Sequence, residues 1–331
     1  MGKRIYLFSD GKISRNENTL LFEPINSEKK FIPIVSIEAI YAFGELTLNK
    51  RVLEFLNKFH IPVHFFSFYG RYVGSYQPKA FYNSGIITLK QAECYLDSQK
   101  RLVLAQKFVS GGQNNILAVL RYYSSRNVDL RSEIDQIEQM RADATAPATV
   151  ESLMGKEGNI REVYYQAFNK IITNPTFTFN RRTRNPPLTP LDALISFGNS
   201  LIYSIILDQM HQTHLDPRIG YLHSTNGRHF SLNLDVSEIF KPLFVDRTIF
   251  TLINRGELTK SDFSPSLNRV YLNDSGRKKF ISELDNKLNT TLNNPNLKRR
   301  ITYKSLIKIE LYKIEKHILG DTDYVPFVSK W

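Results

Sequence analysis

Up to about residue 88, apolar and aromatic positions come in short runs separated by turn-formers: RIYLFS, TLLFEP, KFIPIV, AIYAFG, IPVHFFSF and RYVGSYQP. Runs of this length, rich in Ile, Val, Phe and Tyr and punctuated by Asp-Gly, Tyr-Gly and proline, predict β-strands. One stretch among them, NKRVLEFLNKF, has helical spacing instead. From about residue 90 the pattern changes. Ile160, Tyr164, Ala167, Phe168 and Ile171 recur on one helix face. Further helices are predicted over 91–109, 114–123, 131–143, 190–212 and 235–255, and Ile307, Leu311, Ile314 and Ile318 mark one near the end. The expected fold class is α+β, with a small β-rich amino-terminal domain over residues 1–85 and a larger all-α domain over 86–331. The boundary is placed in PKAFYNSG, residues 78–85, where proline, glycine and polar residues cluster.

Length and charge fit this division. The 331 residues suffice for two domains at about 150 residues each. With 44 Lys and Arg against 32 Asp and Glu, the formal charge of +12 attracts polyanions, either nucleic acid or an anionic membrane surface. The single cysteine, Cys94, excludes an intramolecular disulfide framework and a cysteine-rich zinc site. It suits a reducing cytoplasm and reads as a small buried hydrophobe. The start, MGKRIYLFSDGK, has no long apolar core and reaches an Asp-Gly turn signal, so it reads as a strand rather than a signal peptide. No run of 18 apolar residues occurs, so no membrane partner and a cytoplasmic location are expected.

Candidate chemistry begins with Glu157, in SLMGKEGNIREVYYQ. On a helical projection it falls within the stripe of Leu153, Ile160, Tyr164 and Phe168, which points its carboxylate toward the core. A buried carboxylate must be paired, neutralised or bound to a cation. Gly155 and Gly158 flank it although glycine inside a helix costs about 0.5–1 kcal/mol relative to alanine, so slim backbone serves something other than helix stability. The competing reading is an ion pair with Arg161, four residues on. Downstream, Val236, Ile239, Phe240, Leu243 and Phe244 form an apolar stripe with Asp235 and Glu238 together on one flank, and Pro242 predicts a kink or fresh helical start just after them. Here too a plain pair is open, Glu238 with Lys241.

Of the histidines, His211, His214, His223 and His229 crowd into one segment. The spacing of His211 and His214 alone is a weak metal signal, whereas His223 lies in a turn-rich loop just ahead of the two acids. Were Glu157, Asp235 and Glu238 to converge, two carboxylates about 4 Å apart would repel by about 4 kcal/mol at an effective dielectric of 20. Such a cluster needs a proton or a divalent cation. Oxygen ligands with at most one imidazole favour Mg²⁺ or Mn²⁺, and in a basic protein that points to phosphodiester chemistry.

The motifs LMGKEG at 153–158, RTRNPPLTPLDALISFGNSLIY at 182–203, HLDPRIGYLH at 214–223 and SLNLDVSEIFKPLFVDR at 231–247 resemble those of the integrase and endonuclease of CRISPR adaptation, CRISPR-associated protein one. The likeness extends through AFGELTLNKRVLEFL and IPVHFF to nearly the whole chain. It implies a β-rich domain through which two subunits pair and a helical catalytic domain whose metal ligands fall on Glu157, His223 and Glu238. Asp235 matches a position important for catalysis. Some relatives carry aspartate where Glu238 stands, and many carry asparagine at Asp192. The implied reaction is transesterification, in which a 3′ hydroxyl of a short duplex attacks a phosphodiester at the border of a CRISPR repeat and inserts a spacer. Cleavage of branched DNA uses the same site. The implied assembly is a heterohexamer of two dimers of this chain with a dimer of CRISPR-associated protein two.

Basic residues fit a DNA path: Arg161 one turn past Glu157, and Arg181, Arg182 and Arg184 ahead of a helix, with NLKRR ending at Arg300, Lys304 and Lys308 a weaker segment. Two other functions remain compatible with the residues. One is a catalytically silent DNA-binding scaffold whose acids only form ion pairs. The other is a metallohydrolase acting on small phosphate esters.

Overall fold

The turn-punctuated runs at the amino terminus fold into two four-stranded sheets around one helix. The computed structural model describes residues 2–79, 82, 84–142, 148–183, 186–225, 230–266, 268–294 and 298–330. The chain divides into two units, Met1–Phe81 and Tyr82–Trp331. In the first, β1 (Lys3–Leu7), β2 (Gly11–Asn16), β3 (Thr19–Pro24), β4 (Lys30–Pro33), β5 (Ile37–Ala42) and β6 (Leu46–Thr47) precede α1 (Lys50–Lys58), β7 (Val63–Phe66) and β8 (Tyr72–Tyr76). One sheet has the order β1-β5-β7-β8 and the other β4-β3-β2-β6. β1 and β7 both run parallel to β5. Parallel neighbours need a crossover, and α1 supplies it between β5 and β7. The Asn49 side chain caps α1 by accepting from the Val52 amide at 3.1 Å. Ile13, Leu20, Phe22, Ile40, Val52, Phe55, Leu56 and Val63 share the core.

The second unit is mostly helical. It contains α2 (Gly85–Leu96), α3 (Ser98–Ser124), α4 (Arg131–Ala142), α5 (Val150–Ile171), α6 (Pro190–Met210), α7 (Leu232–Lys241) and α8 (Arg247–Asn254). These are followed by β9 (Phe263–Ser266), β10 (Arg269–Leu272), α9 (Asp274–Asn289), β11 (Thr291–Asn294), β12 (Arg299–Thr302) and α10 (Tyr303–Leu319). The hairpins β9–β10 and β11–β12 qualify the all-α expectation. Two boundaries also differ from the sequence pattern. Asp97 caps α3 by accepting from Gln99 and Lys100, so the helix expected over 91–109 breaks there, and α3 then runs unbroken through Gly111 and Gly112. The single helix expected over 235–255 is α7, a π-helical turn at Pro242–Asp246 and then α8. Proline has no N–H to continue the ladder, and one extra residue per turn absorbs the loss.

α6 is apolar and long enough to cross a bilayer by length and composition, but 72% of its most apolar window is buried within the protein. It packs on α7 and α10, so its apolarity is that of a core helix. Cys94 is 7% exposed, and burial pushes its thiol up to about 11, leaving it protonated and inert.

α3 lies along α7 with glycine at the contact. A Cβ on Gly112 would come within 2.9 Å of the Glu238 carbonyl oxygen. Three residues on, the Asn115 side-chain amide donates to the Ile239 carbonyl of α7 and to the Phe327 carbonyl, both at 2.9 Å. The carboxy-terminal segment is held in turn: Ser329 N–H donates to Asn115 Oδ1 at 2.8 Å, and Glu310 Oε1 accepts from Tyr324 O–H and Phe327 N–H at 2.7 and 2.9 Å. Glycines on α5 are unlike Gly112, since a Cβ on Gly155 or Gly158 meets nothing within 4 Å. Thermal unfolding checks the contrast: Gly112→Ala is expected to destabilise by about 1–3 kcal/mol through overpacking, whereas Gly155→Ala is expected to stabilise by about 0.5–1 kcal/mol.

Candidate functional site

α5, α7 and the loop before α7 bring together the residues that the sequence singles out. Glu157 and Arg161 stand one turn apart on α5, and the Arg161 guanidinium joins the two helices. Its Nε donates to Glu157 Oε1 at 2.5 Å and its Nη2 donates to Glu238 Oε2. From the other side Lys241 Nζ donates to Glu238 Oε1 at 2.6 Å, with the ammonium 5.0 Å from the centre of the Tyr203 ring. Both plain pairs, Glu157–Arg161 and Glu238–Lys241, are therefore present, within one converging cluster. Glu157 sits at the rim with its side chain 22% exposed, while Arg161, Glu238 and Lys241 are 8%, 4% and 7% exposed. Burial opposes ionisation of Glu238, but the Arg161 and Lys241 charges outweigh it and hold the carboxyl down at about 2. Burial likewise works against the Arg161 and Lys241 cations, and their acidic partners overcome it, raising both above their ordinary values.

Asp235 acts on this cluster through His223. Fully buried, its carboxylate accepts from the backbone N–H groups of Tyr221, Leu222 and His223 at 2.5, 3.0 and 2.9 Å. Its Oδ1 also lies 2.8 Å from His223 Nδ1. A carboxylate can only accept, so Nδ1 carries the proton and a neutral ring presents its lone pair at Nε2. That nitrogen faces Glu238 Oε1 at 3.9 Å, too far for a hydrogen bond. Asp235 thus folds the loop and fixes the orientation of the imidazole.

The sequence reading missed Asp246, which is 2% exposed at the end of the π turn. Its buried Oδ2 and the buried Tyr164 Oη on α5 have no partner among the described residues other than each other. Burial pushes the Asp246 carboxyl up to about 7 against the opposing pull of Arg161 and Lys241. No 3.6-residue pattern predicts this placement, because the added residue of the π turn rotates everything after it.

A cleft of about 190 Å³ adjoins the acids, lined by Glu157, Arg161, Tyr165, Phe179, Arg181 and Arg182 among others. Arg181 is exposed beside it. Arg182 is held back, donating to Asp192 Oδ1 at 2.9 Å and Ser196 Oγ at 2.8 Å. Arg161, expected to contact DNA, is buried on the two acids. Arg184 and His229 lie outside the described residues, as do the first two residues of NLKRR. His214 Nδ1 lies 2.9 Å from Glu315 Oε1, away from the acids.

A sequence profile for the family described as CRISPR associated protein Cas1 matches residues 5–286. The CRISPR-associated endonuclease Cas1 2 of Thermodesulfovibrio yellowstonii is 47% identical over 331 residues, covering 100% of both chains. This chain belongs to the Cas1 family. Its broad role is that of a Cas1 nuclease or integrase. The solved Cas1 protein TM1797 of Thermotoga maritima superposes with a TM-score of 0.86 at 40% identity, over 99% of this chain and 100% of that one. A casposase bound to integration product has the same fold, with a TM-score of 0.86 at 19% identity over 99% and 93% of the two chains.

The Cas1 site has the donors that a hard divalent ion takes: two carboxylates and one imidazole nitrogen with its tautomer fixed. Among the described residues no three acidic, histidine or cysteine side chains already enclose one point, since the Arg161 guanidinium bridges Glu157 and Glu238. The electrostatics also fix a pH response. Asp246 binds its proton more tightly folded than unfolded, so its contribution to stability is present below about pH 4 and lost as pH rises through about 7. Denaturant unfolding between about pH 5 and pH 8 is expected to show wild type losing on the order of 2 kcal/mol relative to Asp246→Asn.

Proposed function

We propose that this chain is a metal-dependent DNA integrase and endonuclease that inserts spacer DNA into a CRISPR array by 3′-hydroxyl attack on a phosphodiester, and that it also cleaves branched DNA. The convergence of Glu157, Glu238 and His223 Nε2 from three separate segments, with Arg161 and Lys241 balancing the acids, carries the reading. These three residues would hold the ion, Mn²⁺ or Mg²⁺. When bound, that ion supplies Lewis-acid polarisation of a phosphate oxygen and acidifies the attacking hydroxyl. Asp235 keeps the proton on His223 Nδ1 and so keeps Nε2 free to ligate. Arg181, exposed at the cleft, pairs with the DNA backbone, and its sequence neighbours Arg182 and Arg184 are further candidates for phosphate contact. In the exchange, the attacking 3′ oxygen forms a bond to phosphorus as the bond to the target strand's 3′ oxygen breaks, so the number of phosphodiesters is conserved.

The Cas1 family resemblance extends the proposal to partners: a homodimer formed through the amino-terminal unit and a heterohexamer with CRISPR-associated protein two, acting in the cytoplasm. Within that unit β8 is an edge strand, Val73 on it is 65% exposed, and Phe68 in the preceding turn is 61% exposed. Exposed apolar side chains at an open sheet edge favour pairing with another chain. Light scattering is expected to give a dimer mass for wild type and a monomer mass for Phe68→Glu/Val73→Glu, and an unchanged dimer would exclude pairing at this edge.

Incubation with a labelled branched duplex tests the chemistry. Cutting and joining are expected with Mn²⁺ or Mg²⁺, to disappear with a chelator, and to fall at least about 100-fold in His223→Ala or Glu157→Ala. A scaffold would bind the duplex without cutting it, and a small-ester hydrolase would not be inhibited by duplex DNA in a salt-dependent manner. Asp235→Asn is expected to lower the rate while leaving DNA affinity intact, as befits a residue acting through the imidazole.

A further inference from the structure

Arg161 makes its ion pairs with the carboxylates that the proposed ion would use. Were Glu157 and Glu238 to take a divalent cation, a guanidinium that is 8% exposed would lose both partners, and a buried unpaired charge is among the costliest states in a protein. One further acid already feels its charge. Asp246 is 2% exposed and has no ion-pair partner among the described residues. Its carboxyl is buried with the hydroxyl of Tyr164, three residues after Arg161 on the same face of α5. Among the charged groups acting on Asp246, Arg161 acts most strongly, ahead of Lys241 and Glu238.

We propose that Arg161 has two stations, and that Asp246 is the second: the guanidinium bridges Glu157 and Glu238 while the site is empty and moves to the Asp246 carboxylate when those two acids take the divalent ion. The inference rests on the metal reading above. In the first station two acids are matched by Arg161 and Lys241. In the second, Asp246 keeps the Tyr164 hydroxyl and also accepts from the displaced guanidinium, so the buried acid gains a cation. Asp246 is thereby a positioning residue for metal binding that never touches the metal. Its burial serves to receive a charge.

Direct Mn²⁺ titration of the full chain, read from the electron paramagnetic resonance signal of free Mn²⁺, tests this without any DNA. Wild-type binding that is abolished in Glu157→Gln establishes the metal reading. Asp246→Asn is then expected to weaken Mn²⁺ at least about tenfold, because the displaced guanidinium has no acceptor. The loss is expected to vanish when Arg161→Gln is the background, since there is no cation to rehouse. Equal affinity of Asp246→Asn and wild type, or an equal loss with and without Arg161, overturns the second station while the metal reading stands. Mn²⁺ binding that is absent from wild type or indifferent to Glu157→Gln overturns both. If Asp246→Asn does not fold, Tyr164→Phe decides by the same pair of comparisons, with a several-fold weakening expected only where Arg161 is present.

Discussion

Two carboxylates on neighbouring helices share one guanidinium, and the arrangement of the helical unit follows from keeping that bridge dry and aligned. Glu157 and Arg161 must lie one turn apart on α5, and α7 must approach closely enough for Glu238 to reach the far side of the guanidinium. Gly112 and Asn115 on α3 set the depth and height of α7, the first by lacking a side chain where the Glu238 carbonyl passes and the second by holding the Ile239 carbonyl. Because Asn115 also binds the backbone of Phe327 and Ser329, the end of the chain takes part in fixing the centre of the fold.

The loop before α7 depends on a second constraint, the buried carboxylate of Asp235. A side chain that gathers three consecutive backbone amides and an imidazole leaves the ring almost no freedom, and so the nitrogen that remains available points toward Glu238. The acid nearest the histidine thus serves orientation, and of the two more distant acids Glu157 is the one at the cleft. Pair formation and convergence of the acids, which compete when only the sequence is considered, coexist here because the same cations that satisfy the acids also assemble them.

Much of this was legible in the residues. The β-rich start and most helices of the second unit follow from hydrophobic period, whereas the grouping of Glu157, His223, Asp235 and Glu238 comes from the family resemblance, the residues alone leaving plain ion pairs open. What escaped has definite causes. β2, GKISRN, buries only Ile13 fully and so shows little alternation. α9 had a readable signal in the Asn273 cap and in Phe280, Ile281, Leu284 and Leu288 on one face, although Lys and Asp crowd the intervening positions. Asp246 escaped for a deeper reason: its inward direction is created by the π turn, which exists only because Pro242 breaks the hydrogen-bond ladder in a packed environment. Arg161 was considered as a partner for Glu157 and as a phosphate contact, but its reach to Glu238, 77 positions away, is a tertiary fact that spacing does not encode.

The guanidinium bridge also bears on how the protein matures. Many small metal centres are assembled with their ion, because bare ligands repel and the chain stays unfolded until the charge arrives. Here side-chain cations occupy that role from the outset, so the interior closes on organic charges alone. On the metal reading proposed above, loading with an inorganic ion would be a late and reversible exchange, and a newly made chain would keep its architecture until ions were supplied.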